Sequence, residues 1–349
     1  MSAKFFFRVK TQYENIGDAL INRELITSLS ERGGLILDLS STPSRFKKNI
    51  TGNQHGISLS RSSLYFYLKM IREVIFGKKN VYYFLNPGGY GGEITRKAAV
   101  RMNIICFIVF LLTLIGVKVC RVGVSYSKLG SRHMSITRRM ASLLYYHSVR
   151  DSVSENYCRN NNIKVGRVVP DLAFNLTVNN GKENKDIDYL FSFRAFNNYS
   201  TKNFESNARD FFNQQRLLNI KLAFQVTFDE EYQYKLARLV SPKLNVLDMT
   251  ESLTDNSNIY GGVKYVVSNR LHVLLLALSA GATPIAIIDF VSNEKILSVF
   301  EDAGLGHLVF NASDFSFENV CRAELTSEQR KEVFATKSKQ LDTFFNELL

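Results

Sequence analysis

Tryptophan is absent from the 349-residue sequence, and cysteine and proline are scarce, with four and five residues. One common sugar-stacking side chain is therefore missing, although 16 tyrosines and 26 phenylalanines remain. So few prolines, beside 20 glycines, exclude collagen-like and proline-rich architectures. Cys106, Cys120, Cys158 and Cys321 stand far apart and form no CxxC pair. With five scattered histidines they give no zinc signature, so no metal is expected, and the thiols read as buried groups in a reducing compartment. The N-terminal MSAKFFFRVK turns polar at TQYENIGD and lacks the apolar region of a signal peptide, which points to a cytoplasmic location. No block of five or six consecutive basic residues occurs, and no nucleic-acid partner is expected.

What is present is ordinary for a globular chain: 45% hydrophobic and 22% charged residues. The length suggests two domains, burying roughly three quarters of the surface an unfolded chain exposes. The balance of 44 basic and 32 acidic residues leaves a net charge of +12. That excess suits an anionic partner: nucleic acid, a lipid headgroup surface or a phosphorylated small molecule. One uncharged run, Met102 to Val117, falls short of the ~20 residues a spanning helix needs. A strand-like KVCRVGVSYS follows it, so a buried helix docked on a sheet is expected. The alternative is peripheral contact with the inner face of the membrane, through this run and the basic stretch Lys128 to Arg139.

Along the chain, short apolar runs alternate with helical spacing. FFFRV, LILDLSS, VYYFLN and VCRVGVSYS read as strands of a first half. IDYLFSFR, IKLAFQVTF, LNVLDM, VKYVVSN and TPIAIID read as strands of a second. Such alternation predicts parallel sheets with crossover helices. The aliphatic-poor TVNNGKENKD reads as a linker. The expected fold is α/β, two Rossmann-like domains facing a cleft (GT-B-like). Their expected bounds are 1–178 and 186–325, with a C-terminal helix over 326–349 packing back on the first domain.

Ligands of such sheets bind beyond the carboxyl ends of strands, where helix N-termini offer free N–H groups. In SNRLHVLLLALSAGATPIAI, Ser268 and Asn269 can cap a helix whose first turn carries Arg270 and His272. Basic residues there oppose the positive end of the helix dipole, a conflict that an anionic ligand would resolve. In QYENIGDAL, Asn15 and Gly17 precede Asp18, which either caps the first helix or meets substrate. LNPGGYGGE sets Gly88, Gly89, Gly91 and Gly92 in a turn after a strand, with Tyr90 and Glu93 able to touch a sugar. It is neither a dinucleotide fingerprint nor a P-loop. DYLFSFR ends at Arg194, whose fork suits a carboxylate or phosphate. Asp151 in VRDSVS reads as a helix cap.

Taken together, NIGDALI, the PGG turn, VRDSVS, VVPDLAF, FSFR, and SNRLHVLLLALSAGATPIAI with Lys295 beyond it resemble the polysaccharide pyruvyltransferase family. Pro87, Leu172 and Phe290 depart from its pattern. The resemblance implies transfer of a pyruvyl group from phosphoenolpyruvate, a co-substrate rather than a cofactor, to hydroxyls of a sugar. The acceptor would be a surface polysaccharide or its lipid-linked oligosaccharide repeat, and the product a cyclic ketal. It implies donor binding by Arg194, Arg270, Ser268 and Asn269, and catalysis by His272 as general acid with Arg270 and with Asp18 as base. It implies acceptor contacts by Asn15, Gly17, Gly88, Gly89, Tyr90 and Glu93. A GT-B-type glycosyltransferase using a nucleotide sugar is the competing expectation.

Overall fold

In the computed structural model the chain divides into two compact units. Residues 1–13, 21–172 and 340–349 make the first, and residues 14–20 and 173–339 the second. The structure describes all residues except 1–2, 53–55, 78–79, 197, 216 and 242–243, and except the side chains of 198–200 and 321.

The strands of the first unit are β1 (Ala3–Arg8), β2 (Gly33–Asp38), β3 (Ile57–Leu59), β4 (Val81–Leu85), β5 (Gly88–Gly92), β6 (Lys118–Leu129) and β7 (Tyr146–Val149). They form one parallel sheet in the order β3-β2-β1-β4-β6-β5, with β7 also on β6. All five residues of β4 are buried, as expected of a central parallel strand covered on both faces. Phe6 of β1 faces a core with Phe66, Met70, Val109 and Leu112, while Phe5 meets Tyr82 and Phe84. This is the two-residue period of a pleat. The helices are α1 (Ile16–Ser30), whose first five residues count with the second unit, α2 (Ser44–Thr51), α3 (Ser63–Phe76), α4 (Arg96–Leu114), α5 (Ser131–Leu143) and α6 (Ser152–Asn160).

The second unit repeats the plan with β8 (Ile187–Ser192), β9 (Ile220–Phe224), β10 (Val246–Asp248), β11 (Val263–Ser268), β12 (Thr283–Ile288) and β13 (Val309–Asn311). The order is β10-β9-β8-β11-β12-β13, all parallel. That is the doubly wound 3-2-1-4-5-6 arrangement, in which strand order reverses between the first and fourth strands. Its helices are α7 (Asn198–Gln214), α8 (Glu230–Val240), α9 (Leu253–Gly261), α10 (Leu271–Ser279), α11 (Glu294–Asp302), α12 (Phe317–Cys321) and α13 (Ser327–Leu348). The last residues of α13 count with the first unit, where Phe344 packs on Tyr146 and Glu347 pairs with Arg167 at 2.8 Å.

Three local expectations change. The polar stretch read as a linker is strapped onto the second unit, with Asn179 N–H on the Ser279 carbonyl at 2.7 Å and Lys185 Nζ on the Gly281 carbonyl at 2.6 Å. The division falls at Leu172/Ala173 instead. The glycine-rich segment is no turn: β5 is a strand paired with Val124–Leu129 of β6. Its glycines answer two demands: Gly88 and Gly92 take positive φ, and a Cβ on Gly91 would strike Ser127 Oγ of β6. Finally, α4 is not a buried helix. Only Cys106, Val109 and Leu112 are buried, while Ile104, Phe107, Phe110 and Leu114 face solvent. A helix lying on a sheet buries one stripe, and no further layer covers the rest among the described residues.

Candidate active site

The strand reversal of the second unit sits between β8 and β11, with Ser192 opposite Ser268 in register. Ser268 Oγ donates to the Ser192 carbonyl and accepts from Arg270 N–H at 3.0 Å. Asn269 then clasps the β8 end: its Oδ1 accepts from Arg194 N–H and its Nδ2 donates to the Arg194 carbonyl, both at 2.9 Å. Ser268 and Asn269 are almost wholly buried. They are therefore joints between strand ends rather than caps, and Arg270 itself occupies the N-cap position of α10 with no side-chain cap. His272 lies in the first turn of α10.

The charge conflict expected at this helix start is real and partly answered within the chain. Arg270 grips Asp229 with two bonds, Nε to Oδ2 at 2.8 Å and a terminal nitrogen to Oδ1. Burial raises the pKa of Asp229 despite the opposing pull of Arg270 and Arg194. Arg194 donates to Asn293 Oδ1 at 2.8 Å, a neutral partner. Its side chain keeps considerable solvent exposure, yet desolvation of the guanidinium, followed by the charge of Arg270, lowers its pKa. One carboxylate, paired with Arg270 alone, thus stands against the charge of two guanidinium groups at a helix N-terminus, leaving a positive excess there. Asp229 and Asn293 escaped the sequence reading. The only hint was the acidic DEE following the run IKLAFQVTF.

The segment Asn15–Asp18 belongs to this unit rather than to the first. Asn15 bridges to Val226 in the loop after β9. Its Oδ1 accepts from Gly17 N–H at 3.0 Å and its Nδ2 donates to Asp18 Oδ1 at 3.1 Å, so Asn15 rather than Asp18 closes the start of α1. The His272 side chain rests on Gly17: a Cβ there would lie 2.5 Å from Nδ1 and 2.8 Å from the His272 Cβ. Only glycine lets the imidazole sit so close. Asn15, Gly17, Asp18, Arg194, Asp229, Arg270 and His272 therefore converge on one corner of one unit.

The other expected acceptor residues, Gly88, Gly89, Tyr90 and Glu93, belong to the first unit. Gly88 and Gly89 pair with β6. Tyr90 stacks near Tyr126 and lies 5.0 Å from the Arg121 guanidinium, and its hydroxyl donates to the Asn86 carbonyl. Glu93 packs against Gly130, the N-cap of α5. Asp151 caps α6, accepting from Ser154 N–H at 2.6 Å. Neighbouring Arg150 pairs with Asp171 at 2.8 Å, joining the VRDSVS and VVPDLAF motifs in a structural contact. No group of three or more potential metal ligands occurs among the described residues.

The family model for polysaccharide pyruvyl transferase matches residues 15–288, from the Asn15 turn through β12. The chain belongs to that family. No curated protein sequence gives a significant match. Among solved structures, this transferase is similar to a glycosyltransferase from Rickettsia africae, with 10% identity, a TM-score of 0.56, and coverage of 99% of this chain and 94% of that one. It is also similar to a protein assigned as a UDP-N-acetylglucosamine 2-epimerase from Listeria monocytogenes, with 11% identity, a TM-score of 0.52, and coverage of 97% and 91%. At such identities the likeness is one of fold, and it agrees with the GT-B-like α/β architecture expected from the sequence. The matched segment contains every member of the Asn15–Arg194–Asp229–Arg270–His272 corner.

Proposed function

We propose that this chain transfers the pyruvyl group of phosphoenolpyruvate to two hydroxyls of a sugar in a surface polysaccharide or its lipid-linked repeat, forming a cyclic ketal and releasing phosphate. The observation that carries the reading is the corner itself. Arg270, paired with Asp229, starts α10 within reach of the charge of Arg194, and His272 lies in the first turn. A compact donor carrying both phosphate and carboxylate matches two forked cations at the positive end of a helix.

In this reading His272 gives a proton to the methylene carbon of the enol, turning it into a methyl group and leaving C2 electron-poor. A first sugar hydroxyl adds to C2. The C2–O bond to phosphate then breaks while Arg270 and Arg194 hold the departing oxygens, and the second hydroxyl closes the ring. The two hydroxyl protons balance the one taken by the methyl carbon and the one leaving with hydrogen phosphate. Asp18, oriented by Asn15, is the base assigned to the hydroxyls, and Gly17 keeps His272 in place. Gly88, Gly89, Tyr90 and Glu93 stay proposed acceptor contacts, and the corner needs no metal for these steps.

Calorimetry of phosphoenolpyruvate against UDP-, GDP- and CMP-sugars tests the donor without knowledge of the acceptor. Selective phosphoenolpyruvate binding, lost in Arg270→Ala, is expected. Selective binding of a nucleotide sugar would replace the reading with a glycosyltransferase.

A further inference from the structure

Nineteen large apolar side chains are exposed among the described residues, and thirteen of them lie on α3, on α4 or at Ile115, which ends α4. Leu64, Leu68 and Phe76 of α3 and Phe107, Phe110 and Leu114 of α4 are 41–80% exposed. The two helices are neighbours on one sheet face, since Phe66 and Met70 share a core with Cys106, Val109 and Leu112. Their outer sides therefore make one apolar surface, far beyond the isolated exposed residues a soluble protein normally carries.

Charge follows the same boundary. Residues 61–143 contain fourteen Lys and Arg but only Glu73 and Glu93 as acids, a net +12. The remainder has thirty of each sign, so this segment carries the whole net charge of the chain. Arg72, Arg96, Lys97 and Arg101 are exposed on the two helices. Arg139 of α5 reaches Asn103 on α4 at 3.0 Å. Three of these cations crowd the first two turns of α4, which holds no acid there, against the helix dipole. Apolar residues flanked by cations are the composition of a surface that enters the headgroup layer of an anionic bilayer. A second copy fits poorly, because a two-fold contact sets the same cationic patch against itself.

We infer that the α3/α4 face of the first unit is a docking surface for an anionic lipid bilayer, with α4 lying in the interface. Of the described helices, α4 alone is long and apolar enough to span. It is nevertheless held on the sheet, because it connects β5 to β6, two parallel strands paired with each other. Crossing the bilayer would pull Cys106, Val109 and Leu112 off the core and part those strands. The inference does not depend on the donor chemistry of the other unit.

The absence of tryptophan supplies the test. Phe107→Trp places a single fluorophore on the face, and Leu217→Trp, at a fully exposed site of the second unit, is its control. On vesicles of phosphatidylglycerol and phosphatidylethanolamine at low salt, Phe107→Trp should shift to the blue and be quenched by brominated acyl chains, with the control unchanged. The full chain should float with these vesicles about tenfold more than with phosphatidylcholine, and Arg72→Glu with Arg101→Glu should remove that preference. Phe107→Asp should lower flotation while leaving circular dichroism unaltered. A chain that stays in solution with anionic vesicles at low salt overturns the inference. So does binding without a response at Phe107→Trp, a lipid-independent dimer broken by Phe107→Asp, or membrane association resistant to alkaline carbonate.

Discussion

The two strand reversals are built from the same parts and balanced differently. In the first unit Asn86 clasps the end of β1, donating to the Arg8 carbonyl and accepting from Lys10 N–H, both at 2.9 Å. In the second, Asn269 does the same for Arg194. Each reversal also sets an arginine on an aspartate: Arg8 of β1 on Asp38 at the end of adjacent β2, and Arg270 after β11 on Asp229 in the loop after β9, one strand further across. The aspartates report the difference. Asp38 is so well served that hydrogen bonds from Ser40 and Ser63, with Arg8, overcome the effect of burial and lower its pKa. For Asp229, burial wins and the pKa is raised, although a second guanidinium stands nearby. The first reversal is a closed ion pair with its own hydrogen bonds. The second keeps a cationic surplus and an imidazole, and that surplus is what an anionic donor can complete.

The sharpest break of the comparison is at His272, which has no counterpart in the clasp of the first unit. His272→Ala should lower kcat in a phosphoenolpyruvate-dependent assay by about 10²–10⁴-fold, with thermal stability unchanged. Normal turnover would remove histidine from the mechanism. Next is the pair of arginines. Arg270→Ala should weaken phosphoenolpyruvate binding about 10–100-fold and cost about 2 kcal/mol of stability, because Asp229 is left buried and unpaired. Adding Asp229→Ala should recover the stability but not the binding. Arg8→Ala should leave calorimetric affinity unaltered, and an equal loss in both variants would mean that the two reversals do not differ in function.

A subtler change acts through position alone. Gly17→Ala places a methyl group against His272 Nδ1 and its Cβ. It should lower kcat about tenfold and leave donor affinity nearly unchanged, since displacing a reacting group by a fraction of an ångström is costly. Equal kcat would mean that the contact with Gly17 does not hold the imidazole where it acts.

How much of this was legible in the sequence depended on distance along the chain. The corner after β11 was visible because a strand, polar joints, a basic helix start and a terminating glycine are contiguous in SNRLHVLLLALSAG. Asp229 was not, because it precedes Arg270 by 41 residues and only the sheet order joins them. The placement of Asn15–Asp18 with the second unit was equally hidden, since local pattern carries no information about which sheet a helix start meets. Segment β5 misled because glycine is a poor strand former, and the close approach of Ser127 is a tertiary fact. In α4 periodicity could not distinguish core from surface, because a helix apolar on every side reads alike in either place.

The smallest expected effect is in the acid limb of stability, where the two aspartates should pull in opposite directions. Asp38 has a folded pKa below its ordinary value near 3.8, so its contribution is present above that value and lost as pH falls through the folded one. Asp229 has a folded pKa above 3.8, so in the window just above 3.8 the native state holds more protons than the unfolded chain. Its contribution therefore declines as pH rises. Thermal unfolding of Asp38→Asn and Asp229→Asn between about pH 3 and 6, each subtracted from the parent, should give difference curves of opposite slope. Slopes of the same sign would mean that the carboxylate at the second reversal is as well compensated as that at the first. The cationic surplus would then be spent within the protein rather than offered to a donor.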